Sequence, residues 1–311
     1  MNANLEHQLV TWYRDNRRDL PWRQAGAGAW AVMVSEFMLQ QTPVARVMPA
    51  YRDWLARWPE ARALAVATPA DAVRQWGRLG YPRRALRLHG ASAIITSRHG
   101  GKVPSAISDL RKLPGVGSYT AAAIASFAYG QRHAVLDTNV RRVLARLISG
   151  TQYPANPANS ASVAEQALAE SLLPPEGELR AATWSVALME LGALVCTATQ
   201  PSCARCPVAA SCAWRGKGAP PGVPPRRAAP YTGSDRECRG RLLAVLRAAP
   251  GPVVPAAFDA CWPVATQRSR VLETLIRDGL AVRQSDTLIA LPGEEGTGRI
   301  STALRRAAHA Q

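Results

Sequence analysis

No apolar run in this 311-residue chain approaches the ~18 residues that a membrane helix needs, and the longest candidates are alanine-rich and interrupted. The stretch after Met1, NANLEHQLVTWYRDNRRDL, carries acids and has no signal-type hydrophobic core. Neither export nor organelle import is therefore expected, and the chain reads as cytoplasmic, in a reducing compartment. Acidic residues are scarce: 22 Asp and Glu stand against 38 Lys and Arg, a formal net charge of +16. The surplus is mostly arginine, which suits bidentate phosphate contact and argues for a polyanionic partner. An Arg- and Ala-rich composition can also reflect genome bias, so charge alone does not establish that partner. With 47% hydrophobic residues over this length, the chain is globular and has material for two or three domains.

Cysteine is sparse but not scattered. Four of the six fall within one short segment, Cys196, Cys203, Cys206 and Cys212, spaced C-x6-C-x2-C-x5-C. Four soft thiolates this close can wrap a tetrahedral metal or an iron–sulfur cluster at little loop-closure cost. Two disulfides would need an oxidising compartment. Structural zinc is the better rival, but its sites usually pair two C-x2-C knuckles, and only Cys203 and Cys206 make one. Spacing alone favours the cluster and leaves zinc open. Cys238 and Cys261 lie apart and read as structural thiols.

Helical periodicity dominates the rest. Residues 5–15 place Leu5, Leu9, Trp12 and Tyr13 on one face, and Leu20-Pro21-Trp22 breaks that helix. From Trp30 to Gln41 the chain is apolar almost all round and stops before Thr42-Pro43, with one carboxylate, Glu36, inside it. A solvated glutamate is the ordinary reading of such a residue, but these flanks predict burial and a raised pKa. Further helices are predicted over 47–58 and 70–79, and a basic one after Gly80-Tyr81-Pro82 with Arg83, Arg84 and Arg87. Locally, Tyr81 reads as a core plug or as an aromatic wedge for DNA. Leu113-Pro114-Gly115-Val116-Gly117 joins a short helix (Ile107–Lys112) to the apolar helix SYTAAAIASFAYG. Two residues without Cβ let backbone amides approach a phosphate at a helix start, so Gly115, Val116 and Gly117 form a helix-hairpin-helix signature, a sequence-independent DNA backbone clamp. Residues 134–148 follow, with Asp137 placed to cap a helix and Asn139 behind it. Helices over 161–172 and 180–195 lead into the cysteines.

Together these stretches resemble the helix-hairpin-helix DNA glycosylase superfamily, and within it the adenine DNA glycosylase family. The likeness runs over about residues 5–215 through LPWR, SEFMLQQT, WGRLGY, LPGVGSYTA, LDTNVRRVLAR and MELGALVC. It implies a mainly α, two-lobed glycosylase fold whose 196–212 loop binds a 4Fe-4S cluster through the four cysteines. The implied reaction is hydrolysis of the N-glycosidic bond of a flipped-out adenine opposite 8-oxoguanine or guanine in double-stranded DNA. The resemblance makes Glu36 the general acid and ionised Asp137 the stabiliser of the oxocarbenium-like sugar. Asn139 is expected to hydrogen-bond within this pair, and Tyr119 to pack on or bond to it. Endonuclease III, a relative with the same fold and cluster, carries Gln in place of Glu36 and a Schiff-base lysine in place of Tyr119, so base removal without strand cleavage is expected here. Gln41 and Tyr81 match positions that insert into the duplex, which promotes Tyr81 to a wedge. Arg205 in the cysteine loop is placed to meet phosphates. The family fold usually acts as a monomer, and a nucleoid location follows from the substrate.

After Arg215 the composition changes. Residues 216–231 form a Pro/Gly/basic linker, 232–292 read as three helices and a strand pair, a small winged-helix-like module, and 293–311 as a tail. Typical family members carry a NUDIX-like domain here that inspects 8-oxoguanine, and this segment does not resemble it. An iron–sulfur DNA-binding regulator is the non-enzyme alternative, against which stand Glu36 and Asp137 in their contexts.

Overall fold

Short polar signals start several helices. Thr68 Oγ1 accepts from the Asp71 amide at 3.1 Å while Asp71 Oδ2 accepts from the Thr68 amide at 3.2 Å, a reciprocal box that opens the Pro69–Trp76 helix. Ser162 and Glu165 make the same box before Val163–Ser171, and Ser234 caps Asp235–Ala248. The computed structural model describes residues 3–156, 160–174, 178–223 and 230–294; among these it is mainly helical, with one short β-hairpin. No helix among the described residues is long and apolar enough to cross a membrane.

The chain divides into two units. The first comprises Met1–Met33, Ser105–Lys112 and Val116–Arg227. Its core forms where Leu5, Leu9 and Tyr13 of the Ala3–Asn16 helix meet Trp184, Leu188 and Leu191 of Glu178–Leu194, together with Val140, Val143 and Leu147. Within that core Glu190 is fully buried. Its Oε1 accepts from the Arg18 amide and Nε at 2.8 Å each, and its Oε2 from Arg18 Nη2 at 2.8 Å and Arg23 Nη1 at 2.7 Å. Burial pushes the Glu190 carboxyl up, but these donors and their charges outweigh it and hold it at about 2. The predicted break at Leu20-Pro21-Trp22 is thereby anchored, with Pro21–Arg23 making one 3-10 turn.

The second unit comprises Val34–Pro104, Leu113–Gly115 and Ala228–Gln311. Trp54 stands edge-on to Trp58 and to Trp76, with ring centroids 4.6 Å and 5.6 Å apart. The C-terminal segment packs into this unit: Leu242, Leu246, Phe258, Val271, Leu275 and Ile289 share a core with Ala70 and Val73 of the Pro69–Trp76 helix. Arginines lock that contact from both sides. Arg74 donates to the carbonyls of Arg247 at 3.3 Å and Ala249 at 2.9 Å, and Arg247 Nε returns a bond to the Val73 carbonyl at 3.0 Å.

The segment itself runs through Asp235–Ala248, the 3-10 helix Pro255–Cys261, Ala265–Arg277, and an antiparallel hairpin of β1 (Val282–Ser285) with β2 (Leu288–Ala290). Val253 adds a bridge to Ile289 at the hairpin's edge. The stretch predicted as a helix over 255–262 is 3-10 rather than α, because so short a piece opened by Pro255 closes too few i→i−4 bonds to propagate. Of the expected linker, residues 224–229 lie outside the described residues, as does the expected tail from 295 onward. Glu294 is inside them, paired with Arg74 at 2.5 Å.

Substituting Glu190→Gln removes the counter-charge of two arginines and is expected to lower the unfolding free energy by about 3 kcal/mol, read from a guanidinium midpoint. The folded-state pKa of Glu190 lies below its ordinary 4.5. Its contribution is therefore complete above that pH and is lost as pH falls towards about 2. An acid-side stability slope identical in wild type and variant would contradict this assignment.

Candidate active site

In the first unit, Asp137 caps the Thr138–Leu144 helix. Its Oδ1 accepts from the Val140 amide at 2.7 Å and its Oδ2 from Asn139 Nδ2 at 2.9 Å. Asn139 is oriented in turn, since its Oδ1 accepts from Arg142 Nη2 at 2.7 Å. The same Nη2 reaches the Gly192 carbonyl at 2.7 Å, and Arg142 Nε reaches the Cys196 carbonyl at 2.8 Å. Burial pushes the Asp137 carboxyl above the ordinary range, and the bonds from Val140 and Asn139 and the charge of Arg142 oppose that rise. This carboxylate is thus fixed through both oxygens.

The helix continues into a π turn, Ala145–Ser149, which carries Arg146, 1% exposed, toward the cysteine loop. Arg146 donates to Cys196 Sγ at 3.4 Å and to the carbonyls of Thr197 at 2.7 Å, Ala198 at 3.0 Å and Gln152 at 3.0 Å, and it stacks over Trp214 at 5.0 Å. Cys196, Cys206 and Cys212 pack against the first unit's core from two 3-10 turns and the end of the Glu178–Leu194 helix. Burial pushes the Cys206 thiol up to about 11, and Cys196, Cys212 and Cys203 each add to the rise. All six cysteines are free thiols, and among the described residues no three His, Cys, Asp or Glu side chains are spaced to hold a metal ion. The donor set nonetheless suits a thiophilic group: four thiols from one loop, with the Arg146 cation bonded to one of them to offset thiolate charge.

Tyr119 is partly buried at the second position of the Ser118–Tyr129 helix, whose N-cap is Gly117. The two hairpin glycines answer to different constraints. A Cβ on Gly117 would meet nothing within 4 Å, whereas Gly115 has φ +82° and a Cβ there would stand 2.8 Å from Phe37 Cε1 and 2.9 Å from Arg87 Cβ. Gly115 is therefore demanded by packing and backbone conformation, while Gly117 leaves the helix start open. Val116 between them is buried.

In the second unit Glu36 is buried, 6% exposed, with Phe37 and Met38 beside it fully buried. Gln41 and Tyr81 are exposed on the turns that precede Val44–Arg57 and Arg83–Arg98. Asp137 and Asn139 are thus brought into direct contact in one unit, and Glu36, Gln41 and Tyr81 belong to the other.

Residues 34–171 match the family model of HhH-GPD superfamily base excision DNA repair proteins. An adenine DNA glycosylase of Mycobacterium tuberculosis is 52% identical over 92% of this chain and 93% of its own. The chain belongs to the adenine DNA glycosylase family. The corresponding glycosylase of Mycolicibacterium smegmatis is 48% identical over 94% of this chain and 97% of its own. In fold, the structure of a thermostable thymine-DNA glycosylase superposes with a TM-score of 0.62 at 25% identity, over 70% of this chain and 98% of that one. The mycobacterial likeness extends past residue 215, since it spans 291 residues.

Several residues that shape the surroundings of Asp137 and of the cysteine loop are not legible in the sequence. Arg142 and Arg146 stand four apart in sequence, but most of their carbonyl targets, from Gly192 to Ala198, lie some fifty residues on, beyond the reach of local spacing. Gly192 is the least visible: a Cβ there would stand 2.6 Å from Asn139 Cβ and 3.1 Å from Asn139 Cα and O. The missing side chain lets the Glu178–Leu194 helix touch the backbone that orients Asn139 and Asp137. Gly192→Ala is expected to shift that backbone and lower single-turnover excision of adenine by about tenfold or more, as small misplacements at a reacting centre do. Wild-type excision by a folded variant would show that the close approach is immaterial.

Proposed function

We propose that the chain removes adenine mispaired with 8-oxoguanine or guanine in double-stranded DNA by hydrolysis, leaving the strand uncut. The observation that carries this reading is that a buried carboxyl, Glu36, and a tyrosine rather than a lysine at 119, at the start of the helix after the hairpin, both occur in a chain of the adenine DNA glycosylase family.

Adenine is a poor leaving group until a nitrogen of its imidazole ring is protonated. Glu36, kept protonated by its apolar surroundings, donates that proton as general acid. The bond from N9 to the sugar then breaks with its electron pair leaving on the base, and the sugar becomes oxocarbenium-like. Ionised Asp137, whose two oxygens are held by Val140 and Asn139, stabilises that cation until water adds and gives up a proton. Tyr119 offers a phenol where a lyase would offer an amine, so no Schiff base forms and the backbone is not cut. Gln41 and Tyr81 insert into the duplex beside the extruded base, and the amides of Gly115, Val116 and Gly117 clamp a phosphate. Cys196, Cys203, Cys206 and Cys212 would hold a 4Fe-4S cluster, which supplies a structural cross-link and no redox step, and Arg205 meets phosphate from the loop so ordered. Residues 1–215 form the glycosylase part, 216–231 a linker and 232–292 a winged-helix-like module. The enzyme works as a monomer in the cytoplasm, at the nucleoid.

The test is single-turnover reaction on a duplex with adenine opposite 8-oxoguanine, worked up with and without hot alkali. Breakage at the adenine only after alkali is expected, and Glu36→Gln should abolish it while duplex binding survives. Breakage without alkali, or full excision by Glu36→Gln, would overturn the assignments of Tyr119 and Glu36 respectively. For the cluster, Cys203→Ser is expected to lose iron from the purified protein and to lower its melting temperature. Native iron content and stability would remove Cys203 from the ligand set.

A further inference from the structure

Gln41 and Tyr81 hold left-handed backbone conformations, φ +54° and +45°, although neither is glycine. A side-chain-bearing residue is strained there and stays only where its surroundings over-determine it. Both side chains are exposed, Tyr81 at 55%. One buried side chain serves both turns: Arg84, 5% exposed. Its Nη1 donates to the carbonyls of Phe37 at 2.7 Å, Met38 at 3.1 Å and Gln40 at 2.6 Å. Its Nη2 donates to Thr42 Oγ1 at 3.0 Å and to the Gly80 carbonyl at 3.2 Å, and its Nε to the Tyr81 carbonyl at 3.5 Å. The guanidinium also lies over the rings of Trp76 and Tyr81, 5.2 Å and 5.4 Å from their centroids.

These acceptors are main-chain carbonyls and one hydroxyl, not a carboxylate. They come from two separate places, the end of the Ala29–Leu39 helix with the turn that follows it, and the turn before Arg83–Arg98. Phe37 and Met38 lie in the last turn of their helix, where the negative end of the dipole favours a cation. Only a planar fork with five N–H groups can reach both turns at once.

We propose that Arg84 is the positioning residue of both duplex-inserting turns, holding Gln41 and Tyr81 in their left-handed conformations before DNA arrives. The inference rests on the reading of Tyr81 and Gln41 as inserting side chains. Without the fork, the two turns relax toward common backbone conformations and the fraction of protein competent to insert falls.

The experiment is a cycle of Arg84→Lys against the pair Gln41→Ala and Tyr81→Ala. It is read as the protein concentration for half-maximal single-turnover excision on a duplex with adenine opposite 8-oxoguanine, beside affinity for a fully matched duplex. Arg84→Lys is expected to raise the half-maximal concentration about tenfold, the scale of one relaxed left-handed residue. Affinity for the matched duplex, which depends on phosphate contacts, should stay within about twofold. In a background carrying both Gln41→Ala and Tyr81→Ala, Arg84→Lys should cost nothing more. Additive losses, or equal losses on matched and mispaired DNA, would reduce Arg84 to a general packing role and overturn the proposal alone. A protein with both Gln41→Ala and Tyr81→Ala that behaves as wild type would overturn the inserting reading and the proposal with it. Should Arg84→Lys not fold, Thr42→Val removes one acceptor of the same fork at nearly constant shape. A loss of about threefold on mispaired DNA, absent in the background of Gln41→Ala with Tyr81→Ala, is then expected; a loss that persists there would overturn the proposal.

Discussion

Carbonyls at the ends of helices and in tight turns have no partner within their own element, and in this chain buried and half-buried arginines supply the missing donors. Arg84 closes the end of the Ala29–Leu39 helix, Arg142 closes Gly192 and Cys196, Arg146 gathers Thr197, Ala198 and Gln152, and Arg247 takes Val73. A guanidinium spends five donors in a fixed plane, so one residue organises three or four carbonyls at once. The desolvation of the cation is offset by many partial charges rather than by one full one. Truncating such an arginine therefore strands several buried acceptors together, a larger loss than breaking any one bond. Each unit depends on this device separately: the first through Arg142 and Arg146, the second through Arg84, Arg74 and Arg247.

This changes what the net charge of +16 means. Read from composition, an arginine surplus is a phosphate-seeking surface. Yet Arg84, Arg141 and Arg146 are 5%, 5% and 1% exposed and meet carbonyls or, for Arg141, the carboxylate of Glu165. Burial lowers both Arg84 and Arg247 to about 10, which still leaves them protonated at neutral pH. Part of the charge is thus internal scaffolding. Lysine could not have replaced Arg84, because a point charge cannot bridge carbonyls from two turns.

Local periodicity and capping chemistry were legible in the sequence because they act over a few residues. The Ser118–Tyr129 helix after its glycines and the Asp137 cap follow from spacing, and the Asn139 bond to Asp137 from the family resemblance. The apolar flanks of Glu36 likewise announced a buried carboxyl. What stayed hidden depends on contacts distant along the chain. Nothing in the spelling of Gly192 points to Asn139, and nothing in Arg84 distinguishes it from Arg83 or Arg87, which share its helix. The C-terminal segment read as a separate module because a Pro/Gly stretch precedes it. A linker says nothing of which surface the following helices cover, and here their core includes Ala70 and Val73.

The two proposed catalytic carboxyls differ most in what holds them. Asp137 sits at a helix start, where the Val140 amide and the Asn139 side chain each occupy one oxygen, so its ionised form has donors prepared for it. Burial still works against that charge, and the balance keeps the group above the ordinary carboxyl range. Such a carboxylate gains when a positive charge develops nearby, because a cation relieves the desolvation that the donors only partly offset. Glu36 lies inside a helix instead, itself buried and followed by the fully buried Phe37 and Met38. Breaking a glycosidic bond needs one group that gives a proton and another that tolerates the resulting cation. Two identical acids can divide those tasks only if the fold makes their surroundings unequal. Here the inequality is built from a helix cap on one side and an apolar helix on the other.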